Sequence, residues 1–401
     1  MSTKILFLNT LYDPYIGGGA EITLRYLTLL AQSEGYDTFV ISLWEGDYIR
    51  EEDINGISVY RLPIANLYFP YRKDKTNKLE RVIWHLFDVY NPVMKNYLMK
   101  ILQEIRPNLV SIHNICGWSS SCYDVMNKMN VPFIQVLHDQ YLLCPKRMFK
   151  NDSLCLKQCA LCRIIRYPYK LKSNKAIAVV GVSKFILKKT LSCGYFKGTP
   201  IKTYIYNYRP PFKEIVEHKK EKGKIYFGFI GTLAPHKGVE ILLKIFKKIK
   251  KENWVLLIAG EGKKDYEDYL KTKYKDENVI FLGKIKPEKF FPRVNAIIVP
   301  SIWEEPLGMV IPEAFYFGIP VLGSKLGGIP EMIREGINGL LFDPYDEENF
   351  KNTILEFVKN ISYWMAKKED IKKTSQPFFD RQRWKREWTD IYERVLQLSH
   401  E

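Results

Sequence analysis

Short apolar runs of strand length alternate with amphipathic stretches of helix length along the whole chain, and this alternation limits the fold more than any other feature. A strand followed by a helix that returns to the same sheet yields stacked βα units around a parallel sheet, an α/β class. In the first half the strand-like runs are Lys4–Asn9, Asp37–Leu43, Asn108–Asn114, Pro132–His138, Ala176–Val182 and Ile201–Tyr206. In the second they are Ile225–Gly231, Trp254–Gly260, Val279–Gly283, Ala296–Ser301, Pro320–Ser324 and Gly339–Phe342. Between them, Val239, Leu242, Leu243, Phe246 and Ile249 recur at helical spacing and put one apolar stripe against a sheet. Ile22, Tyr26, Leu29 and Leu30 do the same, with Gly35 as the helix stop.

A chain of 401 residues exceeds what one core holds, so two domains are expected. Asn207-Tyr-Arg-Pro-Pro-Phe212 interrupts regular structure, and the charged run Glu214–Lys224 reads as an exposed linker, placing the joint near Tyr208. Two parallel-sheet domains of similar size suggest a ligand held in a cleft between them, because such sheets bind ligands beyond the carboxyl ends of their strands.

Composition excludes several classes. Apolar residues at 46% and charged residues at 26% describe an ordinary globular chain rather than a disordered or disulfide-built one. No apolar run approaches the roughly 18 residues of a spanning helix, and Lys4–Asn9 is too brief for a signal peptide. A cytoplasmic location is expected. The charge is asymmetric: 28 basic and 16 acidic residues precede Pro210, against 33 and 29 from there on, +12 against +4. Lys146–Arg209 alone holds 15 basic residues and one acidic residue, Asp152. Such a block attracts an anionic membrane surface, a phosphorylated substrate or nucleic acid, or else is a solvated face.

Three loops carry chemistry. Asp13-Pro-Tyr-Ile-Gly-Gly-Gly-Ala-Glu21 follows a strand and opens a helix, so Gly18 and Gly19 allow close backbone approach and helix-start N–H groups favour a phosphate; a plain turn is the competing reading. Phe229-Ile-Gly-Thr-Leu-Ala-Pro-His-Lys-Gly-Val239 again joins strand to helix and places Lys237 where a cation meets a phosphate. In Trp303-Glu-Glu-Pro-Leu-Gly-Met-Val-Ile-Pro-Glu-Ala-Phe315, Glu305 and Glu313 are two carboxylates at one loop and helix mouth that can accept from neighbouring sugar hydroxyls, with the N–H groups of Gly308 and Met309 facing outward for a phosphate. Helix-start acids also serve simply as dipole partners.

Taken together, the Gly-Gly-x-Glu loop, the Gly-x-Leu-x-x-x-Lys-Gly loop, Ala259-Gly-Glu-Gly262, Phe281-Leu-Gly283, the Glu-x7-Glu segment and Gly327-Gly-x-Pro-Glu331 resemble the family 4 retaining glycosyltransferases (glycosyl transferases group 1). The resemblance runs in order from Lys4 to Pro344. It implies the GT-B fold, two Rossmann-like domains facing a cleft: residues 1–207 bind the acceptor, 208–377 bind the nucleotide sugar, and 378–401 cross back to the first domain. It puts Glu313 on the ribose, Glu305 on the donor sugar and Lys237 on the diphosphate, with Gly308, Met309, Gly18 and Gly19 completing the phosphate cradle. Gly260 and Thr232 lie in the same binding loops, and Ile285 meets the base through its backbone. Thr232 stands where many members carry Arg, which leaves His236 as a substitute cation. His138 matches the N-terminal histidine that orients acceptor or donor sugar; a satisfied core histidine is the alternative, and His113 ends the preceding strand.

The resemblance further implies retention, with the leaving phosphate taking the acceptor proton, a UDP- or GDP-sugar donor, and a glycan or lipid-linked acceptor at the cytoplasmic membrane face. Lys237 and the helix-start amides then stabilise the departing diphosphate. No Asp-x-Asp triplet occurs to chelate a metal with it. Cys144, Cys155, Cys159 and Cys162 have the spacing of a structural zinc site, with an iron–sulfur cluster or four ordinary thiols as alternatives. Two other functions compete: a nucleotide-sugar epimerase on the same fold, and a metal-stapled nucleic-acid binder built on the basic tract. The acid and base carboxylates of an epimerase are not identifiable, the nucleic-acid reading leaves the second half unexplained, and no nucleic-acid partner is expected.

Overall fold

The computed structural model describes residues 2–71, 77–150, 153–216, 218–249 and 251–399; Asp152 lies outside the described residues. The chain divides into two compact units, one of Met1–Met148, Cys155–Tyr208 and Arg381–Glu401, the other of Phe149–Leu154 and Arg209–Asp380. The segment Phe149–Leu154, expected inside the first domain, groups with the second unit.

The first unit contains β1 (Lys4–Leu8), β2 (Asp37–Trp44), β3 (Arg50–Ile54), β4 (Ile57–Pro63), β5 (Leu109–Ile112) and β6 (Phe133–Leu137). After the short hairpin of β7 (Phe149–Lys150) and β8 (Ser153–Leu154) come β9 (Ala178–Gly181) and β10 (Ile201–Tyr204). The sheet order is β10-β9-β6-β5-β1-β2-β4-β3, parallel throughout except that β3 runs antiparallel to β4. Ile5, Leu6, Phe7 and Leu8 of β1 are all buried, as a strand covered on both faces requires. β3 and β4 were not among the expected strands. They meet through Asn55-Gly56, both at positive φ, a tight hairpin turn.

The second unit holds β11 (Ile225–Ile230), β12 (Trp254–Ala259), β13 (Val279–Gly283), β14 (Ala296–Val299), β15 (Val321–Ser324) and β16 (Gly339–Phe342). All its strand pairs are parallel, in the order β13-β12-β11-β14-β15-β16. This is the doubly wound Rossmann order, and it reverses between β11 and β14. The helix Val239–Ile249 turns Val239, Leu242, Leu243 and Phe246 inward, as its spacing predicts. Among the described residues no helix is long and apolar enough to cross a membrane.

Candidate functional site

In a doubly wound sheet ligands bind at the carboxyl ends of the strands where the order reverses, here β11 and β14. The loop after β11 tightens into a single turn, Pro235–Lys237, closed by Gly238 at φ +71°. A Cβ at position 238 would sit 1.8 Å from the Pro300 carbonyl oxygen at the end of β14, so only glycine lets the two loops meet. Their meeting delivers Lys237 to Glu305, Nζ to Oε1 at 2.5 Å. Ser301 Oγ donates to the same Oε1 at 2.6 Å. Glu305 is buried. Burial alone would raise its carboxyl, but the Lys237 charge and the hydrogen bonds from Lys237 and Ser301 outweigh it and hold the group below its ordinary value. Both partners use Oε1, so Oε2 has no partner among the described residues.

Glu313 lies in the first turn of the helix Val310–Tyr316 and is also buried. Burial pushes its carboxyl up to about 7, against the opposing charge of Arg209, whose Nη2 stands 2.8 Å from Glu313 Oε1. Ahead of this helix, the N–H groups of Gly308 and Met309 meet no hydrogen-bond acceptor among the described residues. Thr232 is exposed and Ile285, just beyond β13, is half-buried. The Gly260 N–H donates to the Gly283 carbonyl at 2.8 Å, so this amide holds strand ends together and is not open to a ligand. His236 packs edge-on against Trp303 at 5.7 Å between ring centroids, and its charge acts on Glu305.

In the first unit the sheet order also reverses about β1, and the loops after β1, β5 and β6 converge there. Gly18 does not offer an open amide: its N–H donates to Glu21 Oε2 at 2.8 Å, capping the helix Gly19–Ser33. This corrects the expectation that the Gly18 N–H faces a phosphate. Glu21 is buried and its carboxyl raised by that burial, with Asn9 Nδ2 3.5 Å from its other oxygen. His138 follows β6 and shares a 2.8 Å hydrogen bond from its Nε2 to His113 Nδ1, and His113 Nε2 meets Ser111 Oγ at 3.1 Å. Desolvation lowers both rings, His138 to about 4, so both are neutral near pH 7. Only Nδ1 of His138 stays open to a further partner among the described residues.

The four cysteines form a partial cluster. Cys162 and Cys144 lie Sγ to Sγ at 3.4 Å, with Cys159 beside Cys162. Among the described residues no three or more His, Cys, Asp or Glu side chains are arranged to hold a metal, so the expected four-thiolate set is not assembled. The contact between Cys144 and Cys162 instead lowers the Cys144 thiol and raises that of Cys162.

Sequence reasoning missed Arg209, Ser301, Asn9 and the capping role of Glu21. Arg209 stood inside the joint and was read only as part of a linker. Ser301, at the end of an expected strand, gave a weak signal: a lone hydroxyl four residues before a loop carboxylate.

The profile of the glycosyl transferases group 1 matches residues 212–376. A 42.6 kDa protein in the cps region of Klebsiella pneumoniae is 30% identical over 332 residues, covering 82% of this chain and 87% of its own. Among solved structures, the sucrose-phosphate synthase of Thermosynechococcus elongatus superposes with a TM-score of 0.77 at 16% identity, over 99% of this chain and 100% of that one. Anabaena HepE in complex with UDP and glucose gives 0.68 at 18% identity, over 98% and 99%. These neighbours share the GT-B fold.

Proposed function

The chain belongs to the glycosyl transferases group 1, and from that premise we propose that it moves a sugar, with retained anomeric configuration, from a UDP- or GDP-sugar bound by the second unit. The observation that carries this reading is the Lys237–Glu305 pair at the strand-order reversal, with Glu313 on the neighbouring helix turn. An ammonium has three donors. With one spent on Glu305, Lys237 keeps two for diphosphate oxygens, and the unpaired N–H groups of Gly308 and Met309 add neutral donors. As the glycosidic bond to the diphosphate breaks, negative charge grows on the phosphate oxygens, where fixed donors stabilise it more than they stabilise the ground state.

Glu305 serves two ends in this reading. Its Oε1 fixes the ammonium, and its open Oε2 accepts from a hydroxyl of the transferred sugar. Ionised Glu313 accepts from the ribose. The charge relief at the leaving group comes from protein donors, so the transfer step is metal-independent. The leaving phosphate takes the proton of the acceptor hydroxyl. The acceptor is a glycan or lipid-linked precursor, received by the first unit with His138 orienting a sugar through Nδ1.

The structural neighbour solved with UDP and glucose supports a sugar nucleotide as donor. An epimerase would turn over its nucleotide sugar without an acceptor, and nothing in the site favours it. The test is release of nucleoside diphosphate from a panel of UDP- and GDP-sugars. Lys237→Ala is expected to slow release by about a hundredfold to a thousandfold, and Glu305→Gln to slow it and to weaken nucleoside diphosphate binding, because the ammonium loses its charged anchor. Undiminished turnover in both variants would overturn the assignment.

A further inference from the structure

β5 and β6 are neighbouring parallel strands, with Ser111 beside Ile134 and Ile112 beside Gln135. Ser111 and His113 lie two residues apart at the end of β5, where extended backbone turns both side chains to one face. His138 is the first residue after β6. Three polar groups therefore line up: Ser111 Oγ meets His113 Nε2 at 3.1 Å, and His113 Nδ1 meets His138 Nε2 at 2.8 Å. The centroids of the two rings stand 5.1 Å apart and their planes differ by 23°. Nitrogens so close with centroids so far apart meet edge to edge, near both ring planes, where an imidazole N–H and lone pair point.

The order of protons along this line follows from counting them. Ser111 and His113 are buried. Both rings are neutral near pH 7, so each carries one N–H and one bare nitrogen. In one order His138 Nε2–H donates to His113 Nδ1, and His113 Nε2–H donates to Ser111 Oγ. The Ser111 hydroxyl proton is then stranded, because among the described residues its oxygen meets only His113. Burying a donor without an acceptor favours the opposite order by about tenfold or more. There Ser111 O–H donates to His113 Nε2, His113 Nδ1–H donates to His138 Nε2, and the proton left over sits on His138 Nδ1. Asp139, next in the chain, does not claim it: its oxygens accept from the Tyr141 N–H and from Arg147.

We infer, on the reading above that His138 orients a sugar, that Ser111 and His113 are positioning residues that hold His138 as a fixed Nδ1–H donor. The group received at Nδ1 is then a sugar oxygen offering a lone pair. His138 takes no proton from an acceptor hydroxyl, because its other nitrogen is already filled by His113.

The test labels the histidines of the full chain with nitrogen-15 and records long-range proton–nitrogen correlations, which tell a protonated ring nitrogen from a bare one. The chain has six histidines, so the two rings are assigned by their loss in His113→Leu and His138→Gln. At pH 7 without substrate, both rings should carry the proton on Nδ1 and none on Nε2. A protonated Nε2 on His138, or averaged tautomers on both rings, would overturn the relay. Ser111→Ala removes the proton that sets the order, so both rings should average; a spectrum like that of the wild type would overturn the role of Ser111. Its kcat/KM for nucleoside diphosphate release, measured with the best donor of the UDP- and GDP-sugar panel, should fall about twofold to tenfold, the worth of one neutral hydrogen bond. Ser111→Thr keeps the hydroxyl and should restore both spectrum and rate. Averaged rings with an unchanged rate would sever His138 from the sugar. The spectra need no substrate, so a wrong tautomer sinks the relay while leaving glycosyl transfer standing, and absence of release from every sugar nucleotide sinks the functional reading alone.

Discussion

If Glu313 holds the ribose as proposed, donor binding depends on pH in a way that can be worked out in advance. Its carboxyl is pushed from an ordinary 4.5 up to about 7 by burial, with Arg209 only partly offsetting it. A carboxyl that accepts hydrogen bonds from a ribose diol must be ionised, so the donor selects the charged form. Between pH 8 and pH 6 the ionised fraction falls about tenfold, and affinity for the sugar nucleotide falls with it. At pH 7 about half a proton leaves the protein for each donor bound. Calorimetric titrations in two buffers of different ionisation heat read both quantities. Glu313→Gln should bind more weakly above pH 7 and lose the slope. A pH-independent affinity in the wild type, or the same slope in Glu313→Gln, would refute the reasoning. Stability carries the opposite sign. The unfolded carboxyl ionises near its ordinary value and the folded one near 7, so stability from the neutral form is fully present below the unfolded value and lost as pH rises through 7. The loss is about 3 kcal/mol, and the variant escapes it, so its advantage in Tm over the wild type should grow from pH 5 to pH 8.

Three further outcomes are expected. Chelation by EDTA should leave the rate of sugar transfer unchanged; a rate that falls with EDTA and returns with a divalent cation would count against metal-independent chemistry. Gly238→Ala should lower thermal stability and donor affinity together, because its Cβ collides with the Pro300 carbonyl and its φ is left-handed; a cost of about 1–3 kcal/mol is expected from denaturant melts. Asp88→Asn should cost about 3–5 kcal/mol by the same assay, since it strands the buried Arg166.

Most of the parallel framework was legible because its strands are continuous apolar runs. Val279–Gly283 and Gly339–Phe342 occur with the expected ends, Asp37–Leu43 extends by one residue to Trp44, and the other runs shorten by a residue or more at one or both ends. The pair β3 and β4 was missed for a physical reason: Arg-Glu-Glu-Asp-Ile is an exposed edge strand whose charged side chains hide any alternation. The Asn55-Gly56 signal was present and went unread. In the site, Lys237 stands out as a charge beside Gly238, and Glu305 and Glu313 as the two carboxylates of the Glu-x7-Glu segment. Arg209 does not, because what brings it to Glu313 is the fold and not the spacing. The Gly18 amide was misjudged because Glu21, three residues on, can satisfy it, a local competition that glycine counting overlooks. The cysteine spacing likewise described what four thiols can reach, while the chain brought Cys144 and Cys162 to each other.

Lys237 and Glu305 are 68 residues apart in sequence and meet only once β14 has docked against β11. A partly folded chain holding just β11, β12 and β13 would have its lysine but no partner to aim it, and on the proposed reading a weakened grip on a nucleotide. On that reading nucleotide affinity rises when β14 joins the sheet, and a fluorescent nucleotide added during refolding would act as a stopwatch for its closure.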